Sequence, residues 1–461
     1  MDGPWKLPDG WRWELLGSLG DWYGGGTPSK ANPAFWTGGS VPWVSAKDMK
    51  ADYIDDAEDK ITDEAIRNSA AKRIPSGSVV CVMRSGILKH SFPVAVTRRD
   101  VTINQDLRAL HPRPDVDPRF LAYYLRRTAD DVLGECSKNG TTVNSIEAGR
   151  LMRRPVPLPA PGTQRRIVDR IEELFTEIGE GRRSYARACM QFDAYRRSVL
   201  QAAVMGDLTS DWRRGRSVSE TGGQLVERIA QLRKEQGVSR PGRSENGSSP
   251  NEAERSPLPA DWTWATWDQV GSSQNGRAFP STDYSSEGVK LLRPGNLSAS
   301  GALAWTPDNT RRLPERYAAE NDDLLVRGGE LIMNLTAQSL RDDFLGRVCR
   351  TGSDDRCLLN QRLARLTPSL VDPEFLLRVF QSPIFRRFVG DLNTGSLIQH
   401  MYTRQLAGFA FPIPPLDEQA EIARRVRTSL SVAPDDWIDV STVDALRAGV
   451  LAAAFRGDLV A

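Results

Sequence analysis

The 461-residue chain has little of what most catalytic or secreted proteins display. It has five cysteines (Cys81, Cys136, Cys189, Cys349 and Cys357), an odd number with no Cys-x-x-Cys spacing. That excludes a disulfide framework and a cysteine zinc site. Three histidines, His90, His111 and His400, stand too far apart in sequence for a His-based metal centre. No run approaches the roughly 18 apolar residues of a membrane span. The opening Met1-Asp2-Gly3-Pro4-Trp5 has no basic region followed by an apolar one, so no secretory signal and a cytoplasmic location are expected. Charge of one sign is also lacking: 61 basic against 59 acidic residues leave a net +2. This permits local basic patches without demanding them.

Catalytic motifs are absent as well. Gly24-Gly25-Gly26-Thr27-Pro28-Ser29-Lys30 has the wrong spacing for a phosphate loop. There is no Gly-x-Gly-x-x-Gly and no Asn/Asp-Pro-Pro-Tyr/Phe tetrad. Acidic pairs such as Asp322-Asp323 lack the neighbouring Glu-x-Lys of a metal-dependent nuclease.

What is present is a repeat. Leu7-Pro8-Asp9-Gly10-Trp11 recurs as Leu258-Pro259-Ala260-Asp261-Trp262, an offset of 251. Val116-Asp117-Pro118-Arg119-Phe120-Leu121 recurs as Val371-Asp372-Pro373-Glu374-Phe375-Leu376, and Pro157-Leu158-Pro159 with Gln164 as Pro412-Ile413-Pro414 with Gln419, both at 255. Gly206-Asp207-Leu208 returns as Gly457-Asp458-Leu459. Ordered matches at so long a period mean a duplicated domain with its connector rather than a solenoid.

Each copy opens with short β-branched runs between turns (Ser78–Met83, Phe92–Val96, Leu107–Leu110) and a helix beginning at Pro118. This reads as an α+β domain. A heptad pattern follows. Ile167, Leu174, Gly181, Ala188, Tyr195 and Ala202 form one series, and Ile171, Ile178, Tyr185, Phe192 and Val199 the other. Thr163 suits the N-cap, and Gly179 and Gly181 weaken the middle. The second copy repeats the pattern from Ile422, with Pro434 as a break. The expected organisation is a first α+β domain over 1–160 and a first helical region over 161–212. A linker over 213–256 carries a short helix near Gly223–Gln236. A second α+β domain covers 257–415 and a second helical region 416–461. Pseudo-twofold packing would set the two long helices antiparallel as a coiled coil, with Arg456-Gly457-Asp458-Leu459 brought back to the N-terminal domain. A helix over Gln164–Met205 would be roughly 63 Å long.

The loops carry side chains that contact phosphates and base edges. In the first copy these are Lys47, Arg84, Ser85, Lys138, Thr141, Thr142 and Asn144. In the second they are Arg293, Asn296, Asn334, Gln338, Ser396 and Gln399. Asn104-Gln105 and Asn360-Gln361 read either as contacts or as ties between strands. The tryptophans of the Leu-Pro-x-x-Trp segments read as core.

Together, Leu7-Pro8-Asp9-Gly10-Trp11, Gly26-Thr27-Pro28-Ser29, Val41-Pro42-Trp43-Val44-Ser45, Gly140-Thr141-Thr142, Leu200–Leu208 and Pro412–Gln419 resemble the specificity subunit of a type I restriction-modification system. The resemblance implies two target recognition domains, each reading half of a bipartite double-stranded DNA site, spaced by a coiled coil. It implies two methyltransferase (modification) subunits and restriction/translocase subunits as partners. S-adenosylmethionine, ATP and Mg belong on those partners, with no cofactor, no catalytic residue and no metal on this chain. One departure is Pro161-Gly162-Thr163 where the second copy has Leu416-Asp417-Glu418. Two other readings stay open: a DNA-targeting module of another defence or modification complex, and a nuclease with an unrecognised site.

Overall fold

A computed structural model describes residues 4–138, 144–237, 256–338, 343–392, 399–431 and 440–459. The chain divides into two compact units, one formed by 1–187 with 436–461 and the other by 188–435. The division falls inside one continuous helix, Pro161–Met205.

In the first unit a five-stranded sheet has the order Gly20–Gly24, Leu107–Pro112, Val79–Val82, Val94–Thr97, Tyr53–Ile54. Only the last pair is parallel. A three-stranded sheet sets Val41–Val44 between Asp59–Ile61 and Thr102–Ile103. The Arg12–Leu15 strand pairs with Pro155–Leu158, so the two ends of the domain close on each other. The second unit repeats these ladders. Gly271 faces Pro368 as Gly20 faces Pro112, and Thr263 faces Ile413 as Arg12 faces Leu158.

The Pro118–Arg127 helix starts where expected. Pro118 occupies the first turn and Asp117 caps it, its carboxylate accepting from the amides of Arg119 and Phe120. The long helix starts at Pro161, so Thr163 lies inside the first turn and is not its cap. Proline tolerates that position because the first amides of a helix have no internal partner. The helix runs unbroken through Gly179 and Gly181. Its seam is buried at Ile167, Ile171 and Val199, whereas Tyr195 is 47% exposed.

The core of the first unit joins Ile167, Val168 and Ile171 of this helix to Ala454 and Phe455 of the C-terminal helix Val440–Arg456. Phe455 sits edge-on to Phe120 at 5.2 Å and to Tyr124 at 5.3 Å. The residues after this helix therefore return to the N-terminal domain, as the repeat implied. Gly457 has φ +88°, and a Cβ there would lie 2.5 Å from Pro8. Gly206 repeats the arrangement in the second unit, with φ +91° and Pro259 at 2.7 Å. Each glycine ends a helix in the left-handed conformation that an L side chain resists.

In the second unit Val199, Leu200, Ala203 and Val204 pack with Trp267, Phe375, Phe380, Ile422 and Val426. Within the stretch read as a linker, Gly222–Glu235 is a helix capped by a Thr221–Gln224 box, and it buries Leu225 and Ile229 in this core. The apolar stripe at helical spacing outweighs the polar composition of its neighbours. The break expected at Pro434 lies outside the described residues.

Candidate nucleic-acid interface

Strand ends fix a polar rim in the first unit. Gly25 passes so close to the next strand that a Cβ would lie 1.9 Å from the Asn104 carbonyl oxygen, so only glycine fits. The amide of Gly26 then donates to Ile103 O at 2.9 Å. Asn104 donates its amide to Val44 O, and its side-chain oxygen accepts from the amide of Asp106 at 3.1 Å. This Asx turn projects Gln105 to the side-chain hydroxyl of Thr27. The carbonyl of Asp106 accepts from the amides of Met83 and Arg84 at 2.8 and 3.1 Å. Its carboxylate accepts from Arg84 Nε at 2.6 Å.

The hairpin Ser137–Lys138/Ser145–Ile146 joins the same rim, because Ser85 N donates to Asn144 O at 3.2 Å and Arg84 bridges to Ser145. Of the residues singled out in sequence, the fold thus gathers Arg84, Ser85, Lys138 and Asn144. The Arg84 side chain is 57% exposed, and Lys138 is exposed too. Lys47 stands on the Ala46–Asp48 turn, 2.9 Å from Asp59 and 3.2 Å from Glu58. The hydrogen bond to Asp59 raises its affinity for a proton, with help from Glu58, so it stays charged. Thr141 and Thr142 lie outside the described residues.

The second unit builds the rim from equivalent elements. A Cβ at Gly276 would lie 2.2 Å from Asn360 O. Asn360 N donates to Leu292 O, Gln361 N to Arg277 O, and Leu335 N to Arg362 O. The short ladder Thr336–Ala337/Gln399–His400 takes the hairpin's place, with Ala337 opposite Gln399 and Gln338 exposed just beyond.

Two other sequence candidates are buried. Asn296 is fully buried, accepting from Arg293 N at 2.9 Å and donating to Asn309 at 3.1 Å. Asn334 is fully buried and donates to the carbonyls of Thr336 and Phe344 at 2.8 and 2.9 Å. Both amides tie loops together, and a zero-exposure side chain reaches no base edge; they belong to the fold. Arg293 donates to Asn309 O at 3.2 Å and stands beside the same turn. Ser396 lies outside the described residues.

Sequence reasoning missed Asp106, Arg277 and Arg362. Aligning the copies on Asn104-Gln105 and Asn360-Gln361 would have found two of them, since Asp106 and Arg362 are the next residues. Burial pushes the thiols of Cys81, Cys349 and Cys357 up to about 12. A surface of guanidinium, ammonium, amide and hydroxyl groups on rigid turns can contact phosphates and base edges.

A family model described as the type I restriction modification DNA specificity domain matches residues 8–184. The Escherichia coli type I restriction enzyme EcoR124I/EcoR124II specificity subunit is 39% identical over 173 residues, 37% of this chain and 43% of that one. The E. coli EcoDI specificity subunit is 22% identical over 352 residues, covering 75% of this chain and 71% of that one. The match to the first relative thus spans less than half of that protein's length. A solved chain from a study of type I R-M complex assembly and conformational transition superposes with a TM-score of 0.61 at 18% identity, covering 99% of this chain and 100% of its own. The HsdS subunit from Thermoanaerobacter tengcongensis gives 0.54 at 19% identity, with 99% of each chain covered. These structural likenesses show a shared fold.

Proposed function

Because residues 8–184 match the family model described as the type I restriction modification DNA specificity domain, we propose that the chain is the sequence-reading subunit of such a complex. Each unit reads one half of a bipartite site in double-stranded DNA and directs methylation or cleavage by partner subunits. The observation that carries this reading is the duplicated rim. The same turns are held by the same backbone bonds in both units, yet they present Arg84 and Asp106 in one and Thr336 and Arg362 in the other. A shared frame with unlike side chains is what two readers of unlike sequences require, so the recognised site is asymmetric.

Chemistry belongs to the partners. Two modification subunits supply S-adenosylmethionine and the methyl transfer, and restriction/translocase subunits supply ATP- and Mg-dependent steps; the chain itself holds no cofactor and acts in the cytoplasm. Among the described residues no helix is long and apolar enough to cross a membrane.

The test is reconstitution. The purified chain with DNA and Mg²⁺ should neither cut nor methylate. Addition of the modification subunits and S-adenosylmethionine should give site-specific methylation. Cleavage by the chain alone would refute the reading. Salt dependence gives a second check. Near-zero net charge means weak binding by the chain alone, weakening further as salt displaces phosphate contacts.

A further inference from the structure

Superposing the two rims by their hydrogen bonds places Arg84 opposite Thr336 and Asp106 opposite Arg362. The carbonyl of Asp106 accepts from Met83 N, and that of Arg362 accepts from Leu335 N at 2.9 Å. Arg84 bridges to Ser145 where Thr336 faces His400. At these two paired positions each rim thus offers one guanidinium, Arg84 just past the Val79–Val82 strand in the first unit and Arg362 on the turn just before Leu363 in the second. In the first unit the fork is steadied by Asp106, with Nε at 2.6 Å from the carboxylate. In the second the turn residue is itself the arginine. It is exposed, and among the described residues no hydrogen bond or ion pair holds its side chain.

The backbone beneath Arg362 is rigid. Its amide donates to Asn360 Oδ1 at 3.3 Å, its carbonyl is taken by Leu335, and Asn360 is pinned by Leu292 and the close pass of Gly276. Arg277 and Gln361, bonded through Gln361 N to Arg277 O at 2.9 Å, flank it. An uncompensated guanidinium on a fixed turn is the arrangement in which its planar pair of donors meets two acceptors on one base edge.

We propose that Arg362 is the base-reading residue of the second unit and the functional counterpart of Arg84 in the first, each contacting a base edge in one half-site only. This rests on the DNA-reading function above and adds residue-level roles to it.

The experiment uses the full chain in its host, with methylated motifs mapped genome-wide. Arg362→Asp should cut methylation of the motif about ten-fold or more, the loss expected when a bidentate base contact is removed. Arg362→Lys keeps the charge but loses the fork, and should relax one base pair in one half-site while the other half-site stays unchanged. Thr336→Arg combined with Arg362→Asp rebuilds the pair seen at Arg84 and Asp106, and should recover methylation lost in Arg362→Asp alone. Unchanged motif and rate in Arg362→Asp would overturn the assignment. So would Arg362→Lys behaving as the unaltered chain, which marks a phosphate contact instead. Failure of the unaltered chain to give any bipartite motif would overturn the DNA-reading function itself, and the proposal with it.

Discussion

The side-chain oxygen of Gln164 accepts a hydrogen bond from the backbone amide of Asp117 at 2.8 Å. Gln419 does the same for Asp372, also at 2.8 Å. Both glutamines are fully buried. The amide nitrogen of Gln164 donates to the carbonyls of Pro159 and Asp115, and that of Gln419 to Pro414. One side chain thus locks the start of a long helix to the cap of a domain helix, once in each unit. Gln164→Ala should cost roughly 1–3 kcal/mol by stranding a buried amide and two carbonyls. Chemical denaturation followed by tryptophan fluorescence would measure it; a change below about 0.5 kcal/mol, the scale of a neutral surface substitution, would contradict the role.

Glu418 anchors the second unit by a different bond set. Its buried carboxylate accepts from Thr209 at 2.6 Å, from the indole of Trp262 at 2.9 Å, and from Arg213. Glu418→Ala leaves the indole without its acceptor and Arg213 without its carboxylate partner, and should destabilise the unit by about 3–5 kcal/mol. Thr163 holds the equivalent position in the first copy, where among the described residues its side chain has a single hydrogen bond, accepted from Arg166 at 3.4 Å. Thr163→Ala should therefore change stability by about 0.5 kcal/mol or less. Equal effects from the two substitutions would contradict this asymmetry.

Phe455 belongs to the core of the first unit although it lies 335 residues after Phe120 in sequence. Phe455→Ala should cost about 3–5 kcal/mol and expose the ring faces of Phe120 and Tyr124. Limited proteolysis should then cut the N-terminal domain faster while 188–435 stays protected. Unchanged protection of the N-terminal domain would show that the C-terminal helix is dispensable to it.

Arg425 sets a pH dependence. Its guanidinium grips Asp211 at 2.6 and 3.1 Å and Glu421 at 2.7 Å. The bond from Arg425 lowers the Asp211 carboxyl from 3.8 to about 2. Bonds from Arg424 and then Arg425 lower Glu421 from 4.5 to about 2. Carboxylates depressed in the folded state add stability above their unfolded values, and that stability is lost as the pH falls through the folded ones. The Leu416–Leu430 helix should hold its attachment at pH 5 and loosen between about pH 4 and 2. Carboxyl chemical shifts should show Asp211 titrating near 2 in the native chain and returning toward 3.8 in Arg425→Ala. A native value near 3.8 would remove the grip from the account.

Much of this was legible because duplication exposes which residues the fold needs twice. Asp117 and Asp372, Gln164 and Gln419, and Gly206 and Gly457 stand at matching offsets and do matching work. The loops were less legible. Asn296 and Asn334 have the side chains of base readers, but composition does not show whether an amide faces solvent or closes a turn on its own backbone. The short helix near Gly223–Gln236 was read from its apolar spacing, but that Leu225 and Ile229 anchor it in a core shows only once that core is formed. Arg362 directly follows Asn360-Gln361, so its place in the repeat was legible, but its position beside the exit of the Leu331–Asn334 strand shows only in the fold.

The central claim is that two like frames with unlike side chains read two unlike sequences. Genome-wide mapping of methylated bases in the host, with the gene for this chain intact and removed, tests it most directly. The account predicts that a single motif disappears, made of two different specified halves separated by unspecified bases. An unchanged methylation map, or the loss of one continuous or palindromic motif, would contradict it.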